Sequence, residues 1–115
     1  MARYEHLPIF ADSYRLALLI EQQVAGFPNR LRAGLGSDLR SQVRLMIRLI
    51  IRANNTTEKA PILDQLRTAT EEFLVLARLA KDIRAFASLT IYEQSSNLAY
   101  SVSRQTEGWS RSLGK

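Results

Sequence analysis

Residues 35–54 read Leu-Gly-Ser-Asp-Leu-Arg-Ser-Gln-Val-Arg-Leu-Met-Ile-Arg-Leu-Ile-Ile-Arg-Ala-Asn. Arg40, Arg44, Arg48 and Arg52 recur every fourth residue, and most residues between them are apolar. That spacing stacks side chains along one side of an α-helix. Leu31, Leu35, Leu39, Val43, Met46 and Ile50 keep helical register on another side. The stretch therefore reads as an amphipathic helix with a basic ladder and an apolar stripe. No acid falls between Arg40 and Arg52 to neutralise the ladder from within. Each step of four residues overshoots a full turn by about 40°, so the ladder drifts about 120° around the helix from Arg40 to Arg52.

The same helical spacing extends outward in both directions. A first helix is expected over residues 8–27. Pro8 suits its first turn, Phe10, Tyr14, Ala17, Ile20, Val24 and Phe27 form its stripe, and Gly26 and Pro28 end it. The ladder helix is expected over 33–54, with Gly34 and Gly36 weakening its start, Ser37 an alternative N-cap, and Asn54-Asn55-Thr56-Thr57 stopping it. A third helix is expected over 59–86. It carries one stripe of Leu63, Leu66, Thr70, Phe73, Ala77 and Ala80, and a second of Leu76, Leu79, Ile83 and Phe86. One bundle core needs one stripe, so the second predicts a further burial surface, such as another subunit. A fourth helix is expected over 90–108, opened by a capping box at Thr90 and Glu93. Its end near Gly108 would leave a frayed tail from Ser110 to Lys115. Four helices with short links predict an all-α fold, an antiparallel four-helix bundle in one domain.

Composition narrows the function. The chain has 115 residues, 16 Lys and Arg against 11 Asp and Glu, and no cysteine. A chain of this length buries roughly two-thirds of its extended surface, enough for a core without a metal or disulfide. Segment 30–52 holds six arginines and one acid, Asp38, and so carries the whole net charge of +5. Such concentration points to a polyanion, most simply nucleic acid. No apolar run approaches the roughly 18 residues of a membrane span. Glu5, His6 and Pro8 interrupt any signal-peptide pattern at the N-terminus. A cytoplasmic protein without a membrane partner is expected.

Catalytic chemistry finds no foothold. His6 is the sole histidine, and no His/Asp/Glu cluster has metal-ligand spacing. Glu71 and Glu72 are adjacent and diverge on a helix, so they do not make an acid–base pair. Gly34-Leu35-Gly36-Ser37 lacks the lysine and further glycine of a phosphate loop, although amides after Gly36 at a helix start offer a weak anion site. No cofactor, metal or enzymatic activity is expected.

Several fragments, in order and at compatible spacing, resemble a known family. They are Leu7-Pro8-Ile9-Phe10, Leu35-Gly36-Ser37-Asp38-Leu39-Arg40, Ile50-Ile51-Arg52-Ala53-Asn54, residues 78–86 (Arg-Leu-Ala-Lys-Asp-Ile-Arg-Ala-Phe), and Ser103-Arg104-Gln105-Thr106-Glu107-Gly108-Trp109. Together they resemble the accessory variability determinant family of diversity-generating retroelements, related to proteins encoded within intervening sequences of bacterial 23S rRNA. The resemblance implies a four-helix bundle assembled as a basic homopentamer. It also implies a non-enzymatic partner of the reverse transcriptase and its RNA, supporting error-prone cDNA synthesis. By motif position it places Arg40 and Arg52 on the basic surface; Arg44 and Arg48 join them by helical spacing alone. Arg30 and Arg32 either extend that surface or stand idle in a loop.

Each candidate also has a plainer reading. The ladder is a phosphate-contacting row, or a solvated face, or a set of intersubunit salt bridges to Asp64, Glu71 and Glu72 on the third helix. Trp109 either staples the C-terminus onto the bundle or touches the reverse transcriptase. The expected partners are RNA or an RNA–cDNA hybrid, the polymerase, and further copies of the chain. The rival functions are a stand-alone bundle of the rRNA-intervening-sequence kind and a purely structural oligomerisation module.

Overall fold

A computed structural model describes residues 3–114. Among the described residues the regular structure is entirely helical. Four long helices carry the fold: α1 (Pro8–Ala25), α2 (Ser37–Asn54), α3 (Lys59–Asp82) and α4 (Leu89–Leu113). A 3-10 turn, Tyr4–His6, precedes α1. A helical turn, Asn29–Leu31, and a π-helical turn, Arg32–Gly36, lead into α2.

Helix α3 buries its whole first stripe and α2 buries Leu39, Val43, Met46 and Ile50 of its own, but on α1 the buried face is Ile9, Ser13, Leu16, Ile20 and Val24, so Tyr14 of the expected stripe stands exposed. Leu16, Ile20 and Val24 of α1 meet Leu39, Val43, Met46 and Ile50 of α2 and Leu63, Leu66 and Phe73 of α3 in one apolar core. These side chains are sealed from solvent. Consecutive helices pack together, and α1 also packs against α4, so the four surround the core in chain order. The face that α4 buries is built of small residues. Ser95, Ser96, Ala99, Val102 and Thr106 are small, and all are buried. Ser96 Oγ is left without a partner among the described residues, but two other buried hydroxyls turn back on their own helices: Thr106 Oγ1 donates to the Val102 carbonyl at 2.7 Å, and Thr70 Oγ1 to that of Leu66 at 2.8 Å. Such bonds avoid the roughly 1–3 kcal/mol cost of burying an unpaired hydroxyl.

The helix ends differ from the sequence expectations, and the differences have local causes. Helix α1 stops at Ala25 rather than 27, where the Gly26 amide turns to the Gln23 carbonyl. Phe27 is still buried, by packing its ring edge-on against Phe86 at 5.7 Å. Gly34 and Gly36 do not break the chain's helical course; the π-helical turn absorbs them, and Ser37 makes no side-chain cap.

Helix α3 ends at Asp82, not Phe86. Arg84 has φ 61°, its amide donates to the Lys81 carbonyl at 3.0 Å, and the Ala85 amide reaches the Ala80 carbonyl at 2.8 Å. This pair of bonds is a Schellman C-cap, a motif that usually announces itself with glycine. An arginine there gives no sequence signal. Because the left-handed conformation strains a residue with a Cβ, Arg84→Gly is expected to stabilise the fold by about 0.5–1 kcal/mol, net of glycine's larger unfolded-state entropy. A urea titration would read this as a higher midpoint at unchanged slope.

Helix α4 begins one residue before Thr90. Ser88 is its cap, its hydroxyl accepting the Ile91 amide at 3.2 Å, so the expected capping box at Thr90 and Glu93 does not form. The helix also passes through Gly108 to Leu113, so residues 110–113 are helical rather than frayed. Lys115, the end of the expected tail, lies outside the described residues.

Candidate nucleic-acid interface

Helix α2 lies between α1 and α3, with its apolar stripe on the core and its arginines turned away from it. The ladder is not uniform. Arg40 and Arg44 both reach Glu21 on α1. Arg44 donates to Glu21 Oε2 through Nε at 3.0 Å and Nη2 at 2.6 Å. Arg40 Nε lies 2.9 Å from Oε1 without hydrogen-bond alignment, which leaves that buried N–H without an acceptor. One carboxylate thus holds the first two rungs against α1. Glu21 was not among the expected partners of the ladder, which were Asp64, Glu71 and Glu72. Its signal was its isolation: it is the only acid between Asp12 and Asp38.

Arg48 and Arg52 complete the ladder, and both are exposed. Among the described residues no carboxylate pairs with either of them. Arg52 sits in the last turn of α2, where a cation also complements the helix dipole. Arg30 and Arg32 are exposed too, but in the turns leading into α2. Along a helix the 22 residues from Arg30 to Arg52 span roughly 33 Å, most of the molecule's 46 Å long axis. The sequence-level patch therefore resolves into three parts: Arg30 and Arg32 at one end, a clamped middle pair, and Arg48 with Arg52 toward the other end.

Two of the three acids proposed as intersubunit partners of the ladder, Asp64 and Glu72, have other neighbours within the chain. Asp64 pairs with Arg67 at 2.8 Å within α3. Glu72 accepts from Gln42 Nε2 at 3.1 Å, and the same amide group donates to the Ala69 carbonyl at 2.9 Å. Arg67 ties α3 to α4 through Glu107 at 2.6 Å. Hydrogen bonds to Glu107 and then to Asp64 raise its pKa above the ordinary arginine value, so this cation is engaged within the fold.

Trp109 packs, half-buried, against the core near the C-terminus of α4. The Lys59 ammonium lies 5.9 Å from its ring centroid and donates at 2.7 Å to the carbonyls of both Ala53 and Thr56. The Ala53 carbonyl lies in the last turn of α2, where a cation is favoured, and that of Thr56 in the link just beyond it. The ring, the ammonium and the helix end form one staple. The weak anion site after Gly36 is absent, since the Ser37 amide donates back to the Arg32 and Gly34 carbonyls. Among the described residues no group of three potential ligands could hold a metal ion, and no helix is long and apolar enough to cross a membrane.

Compared with the models of known protein families and with curated proteins, the chain matches none.

Proposed function

We propose that this protein is a non-enzymatic, nucleic-acid-binding accessory of a retroelement reverse transcriptase, acting in the cytoplasm as an antiparallel four-helix bundle assembled into a homo-oligomer, a pentamer by resemblance. The observation that carries nucleic-acid binding is the pair Arg48 and Arg52, four residues apart, exposed and without an acidic partner among the described residues. Guanidinium groups one turn apart, about 6 Å, suit successive phosphate oxygens, and their binding releases condensed counterions. RNA or an RNA–cDNA hybrid is the ligand this chemistry serves. Bonds between low-numbered residues of one helix and high-numbered residues of the next support the antiparallel arrangement, as in Gln42 with Glu72 and Arg67 with Glu107. Several copies would multiply a modest patch into useful avidity. For the polymerase contact, Trp109 rests on the resemblance alone.

A purely structural module is the second reading, and the Glu21 clamp favours it, because half the ladder is engaged within the chain. A salt titration of binding to a structured RNA separates the two. Replacing both Arg48 and Arg52 by alanine is expected to flatten the log–log salt slope by about 1.4–1.8, with the mass by light scattering unchanged. Glu21→Gln, which releases Arg40 and Arg44, is expected to steepen the slope by up to about 1.8. If neither variant moves the slope, the ladder is structural and the proposed interface is wrong.

A further inference from the structure

The two helices that flank α2 each present an apolar ridge to solvent. On α3, Val75 is 68% exposed and Leu79 49%, one helical turn apart. On α1, Tyr14 is 51% exposed and Leu18 48%, also one turn apart. Burial of such side chains is worth about 1.5–3 kcal/mol each, so both ridges are open to association. They differ in charge. The α3 ridge borders a groove of about 430 Å³ lined by Gln42, Glu71, Glu72, Val75 and Leu76. Neither Glu71 nor Glu72 pairs with a cation among the described residues; Glu72 accepts only from the Gln42 amide. Beside the α1 ridge stands Arg15, whose side chain is 70% exposed and held only by a 3.4 Å contact to Asp12.

We propose that the acidic α2–α3 groove of one copy receives the Tyr14–Arg15–Leu18 ridge of a second copy, in a head-to-tail contact. Leu18 and Tyr14 would lie against Val75 and Leu79, and Arg15 would meet the two glutamates. Opposite charges on the two surfaces select this pairing over like with like, since two grooves would oppose carboxylates and two ridges would oppose arginines. Such a contact uses different patches on the two partners, so it propagates to a third copy and closes only as a ring. It rests on the oligomeric reading above and adds the surfaces that make it. A functional consequence follows from the position of α2 between the two contact helices. Each added copy places its Arg48 and Arg52 on the same side, which extends the unpaired arginines into a row.

The test is complementation between two variants of the full chain, Leu18→Glu and Val75→Glu. Both positions are largely exposed, so both variants should keep the wild-type circular dichroism. Each variant alone is expected to fall to monomer mass by light scattering. An equimolar mixture should form a species of two chains and no larger, because one intact groove and one intact ridge remain. A monomeric wild type, a variant that keeps wild-type mass, or a mixture that stays monomeric would each overturn the proposal. The salt slope of the Arg48→Ala, Arg52→Ala chain reports separately on RNA binding, so failure of this interface and failure of the nucleic-acid reading are distinguishable.

Discussion

Phe73→Ala should cost about 3–5 kcal/mol of unfolding free energy, the largest single effect expected in this chain. The ring is fully buried in the middle of α3. Helix α3 packs against both α2 and α4, so neighbours on two sides lose contacts at once. The hole would not refill by a small shift, because Leu66 and Ala77 flank it on the same helix face and are themselves sealed. Dispersion contacts vanish along with the transfer energy, and the cavity term adds to both. Against a typical stability of 5–15 kcal/mol, this loss lowers the melting temperature by on the order of 15 °C. Urea titration at several protein concentrations would check it, since an oligomer makes the midpoint depend on concentration. Phe73→Leu should recover most of the loss. A cost below about 1 kcal/mol for the alanine variant would mean that this part of the core can collapse.

Gly36→Val is expected to destabilise by about 2–3 kcal/mol through overpacking. A Cβ on residue 36 would stand 2.7 Å from Val24 Cγ1, 3.3 Å from the Leu31 carbonyl oxygen and 3.5 Å from Phe27 Cδ2. Val24 and Phe27 are both buried, and the carbonyl is backbone, so none can step aside cheaply. The position lies at the joint between the π-helical turn and α2. Relief of the clash must push α2 away from α1. Gly36→Ala is the informative control: alanine gains up to about 1 kcal/mol of helix propensity, so its net cost should be smaller. Gly34→Ala meets nothing within 4 Å and should stabilise. Denaturant midpoints of the three variants order the effects, and a Gly36→Val chain as stable as wild type would refute the close-approach argument.

What could be read in the residues was whatever repeats. The stripes Leu63, Leu66, Phe73 and Leu39, Val43, Met46, Ile50 recur at the helical period, and they do form the core. The surplus stripe expected on α3 holds only in part: Leu79 and, just past the helix end, Ile83 are exposed, while Leu76 packs half-buried against the core. Phe86 was misplaced on it, because the left-handed Arg84 ends α3 first and folds Phe86 inward against Phe27. The ends of helices were less legible. They depend on single residues and on which hydroxyl reaches which amide, so Ser88 displaced Thr90 as a cap without disturbing any pattern.

Charge divides most sharply between the two levels. Sequence by itself determined that the excess positive charge rides on one amphipathic helix and its lead-in, since both the count and the four-residue period are properties of the chain order. Only the tertiary structure decided which of those charges are open. Glu21 lies 19 residues before Arg40 in sequence and 2.9 Å from it in space, because packing α1 against α2 brings distant turns level. A period reports which side of a helix a residue occupies; it carries no information about what another helix sets opposite. That pairing is why Arg40 and Arg44 are clamped while Arg48 and Arg52 face outward.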